Sequence, residues 1–172
     1  YRTEPDDLAR LLDAPNLTTR LLVHDGHAVA VALVAREGGL DADTREAVYR
    51  EGRVQGNMLP DLMTGQLRDP EAAGPVGRRV VRIAVHPEVQ SRGLGSRLLA
   101  DLHREFDDAD WFGTSFGATP RLLEFWLANG YRPVHLSATR NPTSGEHSAA
   151  LLRGASPLDE RYVGWFRDRV GD

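Results

Sequence analysis

The sequence lacks two residue types whose chemistry often defines a functional site. It has no cysteine, which excludes a disulfide framework, a thiolate nucleophile and a cysteine-ligated metal centre. All 21 basic residues are arginine, so the chain has no lysine that could act as a catalytic base. The absence of cysteine fits a reducing compartment, and we expect a cytoplasmic protein.

Charge and hydropathy argue against two further classes of protein. A formal net charge of -4 disfavours a domain that holds nucleic acid through bulk positive charge, so RNA contact would need a local arginine patch or a partner domain. No apolar run approaches the roughly 20 residues that a membrane span needs, and we expect no membrane partner. A length of 172 residues predicts a single domain over positions 1–172, and 41% hydrophobic residues are typical of a globular protein. The chain opens at Tyr1, without methionine, and we expect it to be a fragment of a larger multidomain protein.

The order of the predicted elements indicates a mixed α/β fold. Asp25-Gly26 is a hairpin signal between two strands. Residues 69–77 contain two prolines and two glycines and are predicted to be a loop, and residues 140–147 are predicted to be a polar turn. Helices are predicted over 4–13, 41–51, 56–67, 96–106, 120–128 and 159–170, and strands over 20–24, 27–36, 80–85, 111–116, 131–139 and 148–153.

The most informative segment is Gln90-Ser91-Arg92-Gly93-Leu94-Gly95, which lies between a predicted buried strand and a helix. The first N–H groups of a helix have no partner within it, and the macrodipole adds partial positive charge there. The two glycines let a ligand approach the backbone closely, so such a loop can hold a pyrophosphate, although an ordinary glycine-rich turn has the same pattern. The chain lacks the third glycine of a dinucleotide fingerprint and the Gly-Lys-Ser/Thr of a P-loop.

This segment resembles the acyl-CoA signature of the GNAT acetyltransferases, whose loop amides wrap the CoA pyrophosphate while the preceding strand pairs with the pantetheine arm. Further strings together resemble the acetyltransferase domain of the RNA cytidine acetyltransferases, from about Leu17 to the final helix. They are Asn57-Met58-Leu59-Pro60, Arg82-Ile83-Ala84-Val85-His86-Pro87, Gly113-Thr114-Ser115-Phe116-Gly117-Ala118-Thr119 and Ser144-Gly145-Glu146-His147-Ser148.

The resemblance implies a GNAT fold, in which helices flank a mixed, mostly antiparallel sheet. It also implies acetyl transfer from acetyl-CoA to the exocyclic amine of cytidine in RNA, with tRNA as the expected acceptor. In that family the domain sits behind an ATP-using helicase-like module and beside an RNA-binding tail. We therefore expect RNA to be held mainly by domains outside this chain, and ATP to serve only the helicase-like module.

The resemblance also implies which residues contact acetyl-CoA. Many members carry a basic residue two positions before the glycine that ends the helix predicted over 120–128. In this chain that glycine is Gly130, so the position is occupied by Ala128, and Arg121 or Arg132 could supply the basic group instead. The implied contacts are Ile83, Ala84 and Val85 of the strand, Gln90, Ser91, Arg92, Gly93, Leu94, Gly95 and Ser96 of the loop, and Arg121 of the following helix.

Acetylation of cytosine requires a group that removes a proton. The cytosine amine is neutral but a poor nucleophile, because its lone pair is delocalised into the ring, so a base acts mainly as the tetrahedral intermediate forms. Histidine suits this task near neutral pH. His147 is our candidate base, with Glu146 as its neighbour or alternate, although Gly145-Glu146-His147 could instead only shape a turn. Backbone N–H groups near Val85 are candidate donors to the oxyanion.

Several other residues keep two interpretations at this stage. His86 is either a polar group in the cleft or the end of the strand, and of Phe125 and Trp126 one is expected in the core and the other beside CoA. His24 and His27 flank the hairpin, and no metal site is predicted. Two alternative functions fit the loop: an N-acetyltransferase for a protein or small-molecule amine, and a non-catalytic acetyl-CoA-binding module that regulates a neighbour.

Overall fold

Six strands form one sheet with helices on both faces in the computed structural model, which describes residues 13–52, 54–140, 145–154 and 157–170. The strands are β1 (Leu17–His24), β2 (His27–Gly38), β3 (Val76–Val85), β4 (Trp111–Gly117), β5 (Arg132–Arg140) and β6 (His147–Gly154). The helices are α1 (Ala42–Glu51), α2 (Met58–Gln66), α3 (Leu94–Glu105), α4 (Pro120–Ala128) and α5 (Pro157–Val170). The helix predicted over 4–13 lies outside the described residues, apart from its last position.

The strands lie in the order β1-β2-β3-β4-β6-β5. The pair β3–β4 is parallel, and the other four pairs are antiparallel, which confirms the predicted mixed, mostly antiparallel sheet. The hairpin between β1 and β2 turns at Asp25 and Gly26, which have φ values of 47° and 77°. Positive φ at both positions matches the twist of a two-residue hairpin, so this prediction is also confirmed.

Hydrophobic side chains at helical spacing pack the helices against the two faces of the sheet. On one face, Leu98, Leu99 and Leu102 of α3 pack with Ala32 and Val34 of β2 in one buried cluster. The opposite face carries a second cluster, which includes Leu59 and Met63 of α2, Trp111 of β4 and Tyr162 and Val163 of α5. Along the described residues, no helix combines the length and the apolar character needed to cross a membrane.

Two of the predicted boundaries that differ from the structure lie beside the site described below. The loop predicted through Gly77 ends earlier, because Val76 and Gly77 are the first residues of β3 and Gly77 pairs with Trp111. A Cβ at Gly77 would lie 1.9 Å from an atom of the Trp111 indole, so the missing side chain makes room for this ring. Helix α3 begins at Leu94 rather than at position 96, because Gly93 in the left-handed conformation, with φ 77°, forms its N-cap.

Candidate functional site

The parallel strands β3 and β4 pair over a short stretch and then separate. Their pairing runs from Gly77 with Trp111 to Val80 with Thr114. Beyond these residues, β3 continues to pair with β2, and β4 continues to pair with β6. Within the described residues, a cleft therefore opens between 81–85 of β3 and 115–117 of β4.

A β-bulge coincides with the point of separation. Leu33 of β2 pairs with Arg82 of β3, whereas the next residue, Val34, pairs with Val80. Val81 is therefore an extra residue on β3, and a bulge of this kind bends its strand and increases the local twist. The bend accounts for the departure of β3 from β4 directly after Val80.

The backbone of β3 presents polar groups to this cleft. The N–H of His86 donates to the Val29 carbonyl at 2.9 Å, and Ala84 pairs with Val31, so these positions turn their N–H groups toward β2. Because N–H groups alternate along a strand, those of Ile83 and Val85 point away from β2 and toward the cleft. The Val85 carbonyl accepts a hydrogen bond of 3.1 Å from the side-chain amide of Gln90, which ties the following loop to the strand.

The segment after β3 delivers an uncapped helix N-terminus to the end of the cleft. Ser91 and Gly93 have φ values of 59° and 77°, and Gly93 is the N-cap of α3 without a side-chain capping bond. The helix ladder starts where Arg97 N–H donates to the Gly93 carbonyl at 2.9 Å. The N–H groups of residues 94–96 come before that bond and form the part of the helix where anions are stabilised.

His86 lies where the strand ends. It is exposed and caps a short 3₁₀ helix, Pro87–Val89, with its Nδ1 accepting from the Glu88 N–H at 3.4 Å. Of the two interpretations that the sequence left open, this contact favours the end of the strand.

Helix α4 forms one wall beside the N-terminus of α3. A Cβ on Gly95 would lie 3.2 Å from the Phe125 ring and 3.6 Å from Cγ2 of Val85, so the glycine lets these groups come close. Asn129 Nδ2 donates to Ser96 Oγ at 3.1 Å and fixes the end of α4 to the start of α3. Phe125 is half-buried at this junction, and Trp126 is buried in the core, which matches the expectation that only one of the pair is a core residue.

Thr119 starts α4 as predicted, with its hydroxyl accepting from the Leu122 N–H at 3.4 Å. Arg121 is exposed in the first turn of this helix, and Ala128 is exposed in its last turn. Their separation of seven residues corresponds to about 10 Å along the helix axis. Arg121 therefore lies at the opposite end of the helix from Ala128. Arg132, the first residue of β5, lies close to Ala128 in the sequence.

His147 is held by the edge strand of the sheet. It is the first residue of β6, and its Nδ1 lies 2.7 Å from the carbonyl oxygen of Ser137 on β5. A carbonyl only accepts hydrogen bonds, so Nδ1 carries the proton of this bond, and the neutral ring keeps its lone pair on Nε2. This tautomer leaves a basic nitrogen on the far side of the ring.

Glu146 faces a different strand. Its Oε2 lies 2.1 Å from the position that a Cβ on Gly117 would occupy, so the carboxylate rests against the last residue of β4 at the edge of the cleft. The predicted polar turn was wrong at both ends, because Arg140 and His147 are strand residues that pair with each other. Residues 141–144 lie outside the described part of the chain.

Apart from Arg121, which lies on α4, the predicted cofactor residues fall on two segments that meet at the cleft. Ile83, Ala84 and Val85 form its β3 edge, and residues 90–96 lead from that edge into α3. The sequence reasoning missed Thr114, a buried residue whose hydroxyl donates to the Val80 carbonyl at 3.2 Å at the base of the cleft. A threonine within a predicted strand carries no signal for such a role, because the role depends on the neighbouring strand.

Comparison with known families gives matches along nearly the whole chain. A family model described as GNAT acetyltransferase 2 matches residues 1–109 and 102–156. The tRNA(Met) cytidine acetyltransferase TmcA of Haloferax volcanii is 63% identical over 177 residues, which cover 100% of this chain and 24% of the relative. TmcA of Pyrococcus furiosus is 40% identical over 164 residues, covering 94% and 20%. The chain thus spans about a quarter or less of the length of these relatives.

Solved structures with the same architecture have much lower sequence identity. The ribosomal-protein-S18-alanine N-acetyltransferase from Escherichia coli matches with a TM-score of 0.60 and 14% identity, covering 91% of this chain and 79% of that one. A GNAT family acetyltransferase from Elizabethkingia anophelis, solved with acetyl-CoA bound, matches with a TM-score of 0.55 and 11% identity, covering 88% and 83%. At such identities these likenesses show the fold alone.

Proposed function

The chain belongs to the GNAT acetyltransferase 2 family and has the GNAT fold, and from this premise we propose that it transfers an acetyl group from acetyl-CoA to the exocyclic amine of cytidine in RNA. The observation that carries the proposal is the 63% identity, over 100% of the chain, to a protein named as a tRNA(Met) cytidine acetyltransferase. Because the chain spans 24% of that relative, the tRNA acceptor, the use of ATP by a separate module and a cytoplasmic location all belong to the proposal.

The cleft suits the chemistry of acetyl-CoA. The pantetheine arm is an extended chain with amide groups, and the outward-facing backbone of Ile83 offers it strand-like hydrogen bonds. The pyrophosphate is assigned to the N–H groups of residues 94–96, where the helix dipole favours negative charge. Gly95 is buried, and its missing side chain lets the Phe125 ring pack closely beside this N-terminus.

The reaction forms a C–N bond between the cytosine amine and the acetyl carbon and breaks the C–S bond of the thioester. The Val85 N–H, directed into the cleft, is the assigned donor to the oxyanion of the tetrahedral intermediate. His147 receives the amine proton on Nε2, because Nδ1 is held by the Ser137 carbonyl. The proton passes to the departing thiolate, so the base is regenerated when CoA leaves.

The acceptor must reach the thioester as an unpaired or flipped base, since its amine is otherwise engaged in base pairing. A chain with a net charge of -4 supplies little of the general attraction for phosphate. Most of the RNA affinity is therefore assigned to parts of the protein outside this chain.

The test uses the full-length protein as its gene encodes it. The protein is incubated with ATP, labelled acetyl-CoA and total tRNA, and the RNA is digested and analysed for N4-acetylcytidine by mass spectrometry. Acetylcytidine that depends on the enzyme supports the proposal. Label that enters a protein or a polyamine but not RNA assigns the domain to another amine acceptor. Acetyl-CoA binding without transfer to RNA, protein or polyamine favours a regulatory module.

A further inference from the structure

A groove of about 680 Å³ lies between the edge strand β5 and helix α5. Leu136 and Ser137 line it from the strand, and Trp165, Phe166 and Arg169 line it from the helix. Since β5 is the last strand of the sheet, the groove is open along one side. It lies on the face of the sheet that carries α2 and α5, opposite the face that carries α3.

The groove is connected directly to the candidate base. The Ser137 carbonyl, which belongs to a residue lining the groove, accepts the hydrogen bond of 2.7 Å from Nδ1 of His147. The Ser137 hydroxyl also accepts from the Ser148 N–H at 2.8 Å and donates to the Thr139 carbonyl at 2.8 Å. A chain lying in the groove therefore passes within one residue of the group that orients His147.

An aromatic ring and a cation lie together in this groove. Trp165 has 38% of its surface exposed, and the Arg169 guanidinium carbon lies 4.9 Å from the centre of its ring. Leu136 beside them is 42% exposed. Exposed aromatic rings next to arginine are the groups on which single-stranded nucleic acid stacks its bases and places its phosphates.

The electrostatics of the groove differ from those of the whole chain. The described residues that line it include Arg169 and His135 but no aspartate or glutamate, although the chain carries a net charge of -4. Burial lowers the pKa of His135, and the positive charge of Arg169 lowers it further, so the field of the arginine reaches the groove wall. A polyanion fits this lining better than an acidic or neutral peptide does.

We infer that this groove binds the single-stranded RNA adjoining the nucleotide that is acetylated, with a base stacked at Trp165 and a phosphate at Arg169. The inference rests on the proposed function for its acceptor. It adds a location, because it places flanking RNA on the β5–α5 side of His147 and separates that contact from the acetyl-CoA cleft between β3 and β4.

The test compares the full-length protein with the variants Trp165→Leu and Arg169→Gln, and with Arg167→Gln as a matched control. Arg167 is exposed on the same helix but does not line the groove. Binding of a fluorescein-labelled oligocytidylate and kcat/KM for tRNA acetylation are measured for each protein. We expect both groove variants to weaken binding and to lower kcat/KM, with a loss of at least about fivefold for Trp165→Leu, the lower end of what one stacked base contributes. The control is expected to behave as the wild type does.

The outcomes separate this inference from the proposed function. Acetylcytidine formed by both groove variants with wild-type kcat/KM overturns the groove and leaves the function standing. Loss of oligocytidylate binding in the variants, with no acetylcytidine from the wild type, overturns the function but retains the groove as an RNA site.

Discussion

The hydroxyl of Thr114 donates a hydrogen bond of 3.2 Å to the carbonyl oxygen of Val80, and these two residues are the last pair that joins the parallel strands β3 and β4. Thr114 is buried, so this carbonyl at the base of the cleft is paired in a place where water has little access. One side chain thus provides a polar contact at the point where the strand ladder ends and the cleft begins.

Replacing this hydroxyl by a methyl group should destabilise the domain. Thr114→Val keeps the shape of the side chain but removes the hydrogen bond to the Val80 carbonyl, and the loss of one such bond costs about 0.5–1.5 kcal/mol. Urea unfolding measures the loss directly. Thr19→Val serves as the control, because Thr19 is an exposed residue of β1 and the same change there should stay within about 0.5 kcal/mol. Equal stability of Thr114→Val and the wild type would contradict the prediction.

A side chain at Gly95 should weaken acetyl-CoA binding. The Cβ of Gly95→Val would lie 3.2 Å from the Phe125 ring and 3.6 Å from Val85 Cγ2, and its two methyl groups add bulk where α3 meets the cleft. We expect the Kd for acetyl-CoA, measured by calorimetry, to rise roughly tenfold or more, which corresponds to at least about 1.4 kcal/mol.

Gly65→Ala provides the comparison for that measurement. Gly65 lies within α2, and an added Cβ there meets no atom within 4 Å. Alanine in a helix is favoured over glycine by up to about 1 kcal/mol, so this variant should be slightly more stable and should bind acetyl-CoA as the wild type does. Unchanged affinity in Gly95→Val would remove Gly95 from the proposed pyrophosphate site.

The features that the sequence predicted well are those that depend on local chemistry. The Asp25-Gly26 hairpin and the Thr119 cap act through residues next to them in the chain, and both appear as predicted. The bulge at Val81 and the contact of Thr114 depend on which strand lies alongside, and no local pattern encodes that. The early start of β3 also depends on a neighbouring strand. Gly77 belongs to β3 because it pairs with Trp111 of β4.

The surroundings of Glu146 and His147 likewise could not be predicted from local sequence. The sequence places them side by side, and only the pairing of β6 with both β4 and β5 directs one side chain to Gly117 and the other to Ser137. Adjacent side chains of an extended chain leave it on opposite sides, so Glu146 and His147 meet different surroundings although they are neighbours in the sequence. Which of them removes the proton stays a prediction that kinetics can test.

We predict that His147→Ala lowers kcat for RNA acetylation by about 100-fold or more, the range that a general base contributes, with KM for acetyl-CoA unchanged. The geometric reason is the bond from Nδ1 to the Ser137 carbonyl, which leaves Nε2 as the basic nitrogen. His24→Ala, at an exposed hairpin position, is the matched histidine control. A larger loss in Glu146→Gln than in His147→Ala would assign proton removal to the carboxylate at the edge of the cleft.

His103 connects α3 to the core in its uncharged form. Its Nε2 and the Tyr131 hydroxyl are joined by a hydrogen bond of 3.0 Å, and its ring meets the Phe112 ring edge-on at 4.6 Å. Burial and, to a smaller extent, the positive charge of Arg153 lower the pKa of His103 from 6.5 to about 4. His103 therefore binds a proton less readily in the folded protein than in the unfolded chain.

This difference predicts a loss of stability in mild acid. Between pH 6.5 and about 4, the unfolded chain carries a proton on His103 that the folded state does not, so the free energy of unfolding falls as the pH falls and is fully recovered above pH 6.5. His103→Gln should flatten this part of the profile, as measured by urea unfolding at a series of pH values, whereas His24→Gln, at an exposed position, should keep the wild-type slope. Carboxylates that titrate in the same range are present in all three proteins, so the difference between the profiles isolates the histidine. Parallel profiles for His103→Gln and the wild type would mean that His103 accepts its proton equally well in the folded and unfolded states.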